Sequence, residues 1–333
     1  MSKSYHIAIV GATGAVGVEI LRVLERRDFP VASLRLLASA RSAGKKLRFK
    51  DQEVEIRKLE GEDFRGIDFA FFSAGATRSR EYVPVAMKAG AVVIDNSSAF
   101  RMQEDVPLVV PEVNGEDLKK HQGLIANPNC CAAILAVAVA PLHRAVGIRK
   151  MIVSTYQSAS GAGAQAMREL ESQVKQFASG EKITREVFPH QIAFNVFSHN
   201  TPVAENGFND EENKLIMETR KILHAPEMVV VPTCIRVPVL RAHSEAVVME
   251  LARPTGIAEA RRLLSEAAGV EIVDEPAKNL FPMPLDATGK LDVLVGRIRK
   301  VPGDDSSLAL FVSGDQLLKG AAWNAVQIAE LLK

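Results

Sequence analysis

The stretch "HIAIVGATGAVGVEILRVLERR", residues 6–27, decides the first half of the fold. "HIAIV" is a short apolar run that reads as a strand. "AVGVEILRVLERR" places Val16, Ile20, Val23 and Leu24 on one helical face. Between them lie Gly11, Gly14 and Gly17. Glycines at such a junction permit a tight turn, let backbone N–H groups approach a pyrophosphate, and leave the helix N-terminus open to negative charge. The spacing is G-x-x-G-x-x-G, so it misses the strict dinucleotide fingerprint. Taken alone it also fits a strand–turn–helix that merely packs closely.

Further along, "LRLLA", "DFAFFSA" and "AVVIDNS" repeat the pattern of apolar strands, with "EYVPVAMKAG" a helix or loop among them. Strands this apolar are buried on both faces, as in a parallel sheet with helices above and below. The class is therefore α/β, beginning with a doubly wound parallel sheet of Rossmann type. After about residue 128 the character changes. "MIVSTYQSAS", "MVVVPTCIRVPVL" and "HSEAVVMEL" are β-rich, and they predict a second, α+β domain for catalysis and dimerisation. A helix is expected over Ala164–Phe177, with Met167, Leu170, Val174 and Phe177 at helical spacing. Another is expected over Asp210–Leu223, where Asn209 and Glu212 form a capping-box pattern. "DQLLKGAAWNAVQIAELL" reads as a terminal amphipathic helix that returns to the first domain to bury its apolar face. The expected division is 1–128 plus 314–333 for cofactor binding and 129–313 for catalysis.

The composition excludes several classes. At 333 residues the chain suits two domains, and 47% hydrophobic with 24% charged residues is ordinary for a soluble globular protein. A net charge of +1 and the absence of a basic block argue against a nucleic-acid partner. The longest apolar run, Cys130–Leu142, is too short to span a bilayer, and no signal peptide is expected before the first strand. Three cysteines, two of them adjacent, make no disulfide framework; the expected location is a reducing cytoplasm.

Which dinucleotide is indicated by the segment after the second strand, "LLASARSAGKK". It lacks the acid that meets a free ribose 2′-hydroxyl. Instead it carries Ser39, Arg41 and Ser42, with Lys45 and Lys46 behind. A guanidinium grips a 2′-phosphate bidentately, so the reading is NADP, with a solvated basic loop as the alternative.

"ANPNCCAAILAVAVAPL", residues 126–142, starts a second helix, with Asn129 as candidate N-cap. Cys130 then falls in the first turn, where free N–H groups and the helix dipole favour a thiolate. The same N–H groups suit an oxyanion. Cys131 lies about 100° further round, so the two cannot share one role. Two buried structural thiols remain the alternative, and core packing is the better reading of Cys234. Of seven histidines, His243 in "CIRVPVLRAHSEAVV" is the best proton partner, at the start of a strand.

With these residues in place, the chain resembles the aspartate-β-semialdehyde dehydrogenases. The resemblance runs through "GATGAVG", "DNSSAFRM", "VPLVVPEVN", "NPNC", "TYQSASGAG", "IAFNV", "IRVPVLRAHSEAV" and "GDQLLKGAAWNAVQ", and covers nearly all of the chain. It implies that Cys130 is the acylated nucleophile, His243 the acid/base, and Gln157 a contact near the thioester. It implies Arg236 for the substrate α-carboxylate, Glu211 for its α-amine, and Arg101 and Lys214 for phosphate; Asn129 joins the substrate side. Gly11, Thr13, Gly14, Ala15, Val16, Arg41, Ser42, Ser160, Gly161 and Gln316 would line NADP. One departure stands out: small hydroxyl residues commonly follow the family's cysteine, whereas Cys131, Ala132 and Ala133 follow here. Glu211 and Lys214, at i and i+3, would alone fit a solvated surface salt bridge.

The activity so implied is NADPH-dependent reductive dephosphorylation of L-aspartyl-4-phosphate to L-aspartate-4-semialdehyde through a cysteine thioester. It belongs to biosynthesis of lysine, threonine, methionine and diaminopimelate. The implied partners are small molecules, with a second copy of the chain in a homodimer or homotetramer, and no metal. The competing readings are an N-acetyl-γ-glutamyl-phosphate reductase, for which a carboxylate at Glu211 would have little to do, and a catalytically silent NADP-binding paralogue.

Overall fold

The computed structural model describes residues 3–333. The chain forms two compact units, the first running to Asn129 and resuming at Ala321, the second spanning Cys130–Gly320. The second junction falls beyond the expected 314. The Asp315 carboxylate accepts hydrogen bonds from Arg241 Nε at 2.8 Å and from the Gly289 N–H at 2.7 Å, which holds the following segment in the second unit.

In the first unit, β1 (Tyr5–Val10), α1 (Ala15–Arg26), β2 (Val31–Ala38), β3 (Lys46–Phe49), β4 (Gln52–Lys58), β5 (Phe69–Phe72), α2 (Ala76–Lys88), β6 (Val92–Asp95), α3 (Pro111–Asn114) and β7 (Leu124–Ala126) follow one another. The seven strands form one sheet in the order β3-β4-β2-β1-β5-β6-β7. All neighbours are parallel except the β3–β4 hairpin. That hairpin was not anticipated: of its strand residues only Phe49 and Ile56 are buried, so the apolar pattern is thin. "EYVPVAMKAG" resolves as the latter part of α2, with Pro84 inside the helix.

The direction of strand connection reverses between β1 and β5, and the glycine loop lies there. Gly11 has φ +85°, and a Cβ on it would sit 2.3 Å from the Ser73 carbonyl oxygen after β5. Only glycine meets both conditions.

The second unit contains α4 (Cys130–Val146), β8 (Ile148–Gln157), α5 (Ala164–Ala178), β9 (Phe197–Ser198), α6 (Asp210–Ile222), β10 (Val229–Arg236), β11 (His243–Leu251), α7 (Ile257–Ser265), β12 (Val270–Ile272), α8 (Pro284–Ala287), β13 (Val293–Val301) and β14 (Asp304–Gly314). Its mixed sheet runs β12-β13-β14-β11-β8-β10-β9. Helix α4, buried almost throughout, lies against β8, β11, β13 and β14. The approach is close: a Cβ on Gly314 would stand 2.9 Å from the Ile134 side chain. The opposite face of the sheet is apolar and uncovered, with Ile152 47% and Val229 46% exposed and Tyr156, Ile235, Val248 and Phe311 half-buried.

Two expectations are corrected. The buried face of α5 is Ala166, Glu169, Leu170 and Gln173, while Val174 and Phe177 are exposed. The reason is polar: Glu169 accepts N–H groups of Glu186, Val187 and Phe188, and Gln173 those of Ile192 and Ala193, so the helix faces the loop it holds. The terminal segment does not become regular α-helix at Asp315. A wide turn over Leu318–Ala322 precedes α9 (Trp323–Leu331). α9 packs on α1 and β6 of the first unit, and Asn324 donates to the Val109 carbonyl at 2.8 Å and to Asn127 Oδ1 at 2.7 Å. The capping box of α6 forms as read, between Asn209 and Glu212. Among the described residues, no helix is long and apolar enough to cross a membrane.

Gly11→Ala should lower the unfolding free energy by at least about 2 kcal/mol in urea titrations, because the added Cβ meets both a left-handed backbone and the Ser73 carbonyl. Unchanged stability would show that the β1–β5 approach relaxes freely.

Candidate active site

Cys130 is the first residue of α4 and is half-buried; His243 is the first residue of β11 and has no exposed surface. The sulfurs of Cys130 and Cys131 and one ring nitrogen of His243 lie within 4.8 Å of one another. Space for this is made by Gly320, where a Cβ would come within 2.7 Å of the Cys130 Cβ. The Ser158 N–H donates to His243 Nδ1 at 3.0 Å, and Ser158 Oγ lies 3.0 Å from the same nitrogen. Because Nδ1 accepts, the ring hydrogen of neutral His243 is on Nε2, which has no hydrogen-bond partner. The ring therefore offers the sulfur a donor rather than a lone pair. That disfavours a metal, although the same three residues are close enough to hold a soft one.

The Cys130 thiol is held well below its ordinary range. The largest cause is the neighbouring Cys131 thiol; His243 adds attraction, while burial and the Glu211 charge oppose. Cys131 is pushed well up, first by its bond to Cys130 and then by burial. The two adjacent thiols are thus shifted in opposite directions. Cys234 packs in β10 without exposure, and burial raises its thiol.

Around this pair stand the polar side chains of the second unit. Gln157, ending β8, accepts from Thr155 Oγ1 and donates to Glu211 Oε1, both at 3.2 Å. Glu211 and Lys214 pair at 3.4 Å, with the Glu211 side chain only 8% exposed, so they are not a solvated surface bridge. Arg236, ending β10, is buried. Its Nη1 donates to the Ser158 carbonyl at 3.0 Å, its Nη2 meets His199 Nε2 at 2.8 Å, and its Nε has no partner. A buried guanidinium N–H left without a partner is a place for an anionic ligand. Burial and neighbouring cations lower His199 to about 4, which keeps its Nε2 free to accept from Arg236.

Gly161 packs against Arg236 Nη1 and the His243 ring. Gln316 donates to Ser160 Oγ and accepts the Ala242 N–H at 2.9 Å. Ala242 has φ +70°, so Gln316 clamps the strained residue that aims His243.

In the first unit, Gly11, Thr13 and Gly14 line a cleft of about 560 Å³ with Ala38 and Ser39 at the end of β2 and Ser73 and Ala74 beyond β5. Ala15 and Val16 open α1 behind it. This is the carboxyl end of the strands at the reversal point, where open α/β sheets bind dinucleotides. No acidic side chain lines it; Lys58 and Arg78 do. Thr13 Oγ1 lies 3.5 Å from Ser42 Oγ, and Arg41 is exposed on the same short turn. Hydroxyls, cations and a helix N-terminus fit a phosphorylated dinucleotide. Arg101 is buried, donating to the carbonyls of Asn127 at 2.9 Å and Asn96 at 2.7 Å, and Asn129 is buried beside the start of α4.

Sequence reasoning missed Ser158, His199, Glu245, Asp315 and Arg78. Ser158 lies within the quoted "TYQSASGAG", but nothing in a sequence says that its N–H meets a histidine 85 residues on.

The chain matches two family models: that for the semialdehyde dehydrogenase NAD binding domain over residues 6–121, and that for the semialdehyde dehydrogenase dimerisation domain over residues 139–319. It is 51% identical to an aspartate-semialdehyde dehydrogenase of Synechocystis, across 100% of this chain and 98% of the relative. The structure of aspartate semialdehyde dehydrogenase II from Vibrio cholerae, complexed with ASA, superposes with a TM-score of 0.97. It is 44% identical, and the match covers 99% of this chain and 98% of that one. The aspartate semialdehyde dehydrogenase of Candida albicans, solved with NADP, gives a TM-score of 0.75 at 25% identity, over 99% and 98% of the two chains.

His199 titrates near 4 in the folded chain and at its ordinary 6.5 when unfolded. Between those values the unfolded state binds the extra proton, so stability rises with pH and is lost on acidification from 6.5 toward 4. The slope should reach about 1.4 kcal/mol per pH unit. In denaturant titrations across that window, His199→Gln should flatten it; an unaltered slope would assign it elsewhere.

Proposed function

The chain belongs to the aspartate-semialdehyde dehydrogenase family, and on that premise we propose which residues carry its NADP-dependent chemistry. The activity is the reductive dephosphorylation of L-aspartyl-4-phosphate to L-aspartate-4-semialdehyde, reversed in the presence of inorganic phosphate. It places the protein among the oxidoreductases of amino-acid biosynthesis. The observation that carries the assignment of roles is the Cys130 sulfur, at a helix start and within reach of a histidine whose free N–H is Nε2.

Cys130 attacks the acyl phosphate carbon; the S–C bond forms, the C–O bond to phosphate breaks, and a thioester remains. NADPH, when bound in the first unit's cleft, supplies the hydride that reduces that carbonyl. The carbonyl oxygen takes hydrogen bonds from the first N–H groups of α4 and from His243 Nε2–H. As the hemithioacetal collapses, its oxyanion re-forms the carbonyl and the Cys130–carbon bond breaks to release aldehyde and thiolate; His243, as the acid/base, steadies first the oxygen and then the departing sulfur through Nε2–H, with no net proton gained or lost. Ser158 keeps the imidazole in the orientation this requires.

Recognition divides by charge. The unpartnered Nε of Arg236 takes the α-carboxylate, and Glu211, held between Gln157 and Lys214, takes the α-ammonium. An N-acetylated substrate has no ammonium for Glu211, which disfavours the glutamyl enzyme, as do the relatives. Lys214 and Arg101 are assigned to phosphate, and Asn129 to the same side. Gly11, Thr13, Gly14, Ala15, Val16, Arg41 and Ser42 are assigned to the dinucleotide in the first unit; Ser160, Gly161 and Gln316 are assigned to the same cofactor on the family resemblance alone.

The uncovered apolar sheet face around Ile152, Val229 and Val248 supports a homodimer formed face to face. A nucleophilic thiolate beside a second thiol supports a reducing, cytoplasmic location.

With NADP⁺ and aspartate semialdehyde, turnover should require phosphate, and Cys130→Ala should lower it by more than about 10³-fold while NADPH affinity, read by fluorescence titration, stays within about twofold. Persisting turnover would remove Cys130 from the mechanism. Ile152→Glu should shift the mass found by light scattering to that of a monomer; an unchanged assembly would place the interface elsewhere.

A further inference from the structure

A guanidinium that reads a carboxylate has to be aimed. In Arg236 both Nη atoms are held: Nη1 donates to the Ser158 carbonyl at 3.0 Å and Nη2 to His199 Nε2 at 2.8 Å. Its central carbon stands 5.9 Å from the centre of the buried Phe188 ring. Two fixed points on a planar fork set the direction of the third, the buried and unpartnered Nε–H.

His199 is itself built in. It follows β9, and its backbone N–H donates to the Cys234 carbonyl at 2.8 Å, which extends the β9–β10 pairing by one residue. Strand alternation then puts the His199 and Arg236 side chains on one face of the sheet. Arginine cannot accept, so His199 Nε2 does, and the ring hydrogen is on Nδ1. Nδ1 lies 3.3 Å from Thr201 Oγ1. That hydroxyl accepts the Glu211 N–H at 3.2 Å and donates to Asn209 Oδ1, the N-cap of α6, at 3.4 Å. With the histidine N–H as a second bond received, its one hydrogen and both lone pairs are used.

We propose that His199 is a positioning residue for substrate recognition: with Thr201 it ties Arg236 to the first turn of α6, and so sets the separation between the guanidinium that takes the α-carboxylate and the Glu211 that takes the α-ammonium. An α-amino acid bears both charges on one carbon, so the spacing of their partners selects that class of substrate. Burial lowers the ring to about 4, so His199 is a neutral acceptor at pH 7. The inference rests on the roles assigned above to Arg236 and Glu211.

The test is steady-state oxidation of aspartate semialdehyde by the full-length protein with phosphate and NADP⁺. His199→Leu keeps bulk but neither accepts nor donates. It should raise KM for the aldehyde about tenfold, as expected for a lost bond to a charged group, with kcat within about threefold and KM for NADP⁺ unchanged. His199→Gln, whose amide accepts from Arg236 and donates to Thr201, should keep the aldehyde KM close to the parent's. Thr201→Val removes only the hydroxyl; it should raise KM in the same direction, and it serves if His199→Leu does not fold. An unmoved KM in either variant, or an equal rise in His199→Gln and His199→Leu, would overturn the proposal. Arg236→Gln separates this from the reading beneath it. If that variant leaves the aldehyde KM unchanged, the carboxylate assignment falls; if it raises KM while His199→Leu and Thr201→Val do not, only the positioning role falls.

Discussion

The site depends on how closely α4 is pressed against the second sheet. Gly314 gives α4 room at Ile134, and Gly320 gives it room at Cys130. With no side chain at either point, the helix start can settle beside the strand that begins at His243. The apolar body of α4 supplies the burial that holds it there, at roughly 25 cal/mol per Å² of surface removed from water. The polar chemistry is thus positioned by an apolar contact that touches no substrate.

Within that packed space, charge is rationed by burial. His199 stays neutral and so can accept from Arg236, whose cationic form then keeps one N–H for a ligand. Burial pushes Glu245 well above the usual carboxylate range, which favours its uncharged form. Each is a group whose charged form would cost more in a dry interior than it returns. The fixed donors and acceptors that remain are arranged before any substrate arrives, which is the condition for electrostatic stabilisation of a reacting carbonyl.

The first unit was legible because its signals are local: a strand, three glycines and a helix in twenty-two residues, with the missing acid after β2. Cys130 was legible for the same reason, since a helix start can be read from Asn-Pro-Asn. The β3–β4 hairpin was not, because an edge hairpin buries few side chains. Nor was the orientation of α5, whose inner face is polar through Glu169 and Gln173 and therefore invisible to a search for apolar periodicity. Ser158, His199 and Glu245 escaped for a further reason. Their meaning lies in contacts between distant strands, and a serine, a histidine and a glutamate look alike in sequence whether solvated or buried.

The order of the chain has a consequence for synthesis. Helix α9 belongs to the first unit, where Asn324 ties the β7 end of the sheet to the segment at Val109, yet it is made after the second unit. As the polypeptide leaves the ribosome, the first unit emerges with an apolar groove between α1 and β6 still vacant. That groove waits while the whole second unit is translated and folds. The domain that begins first is therefore finished last, and until its closing residues arrive it is a partly open sheet of the kind chaperones recognise.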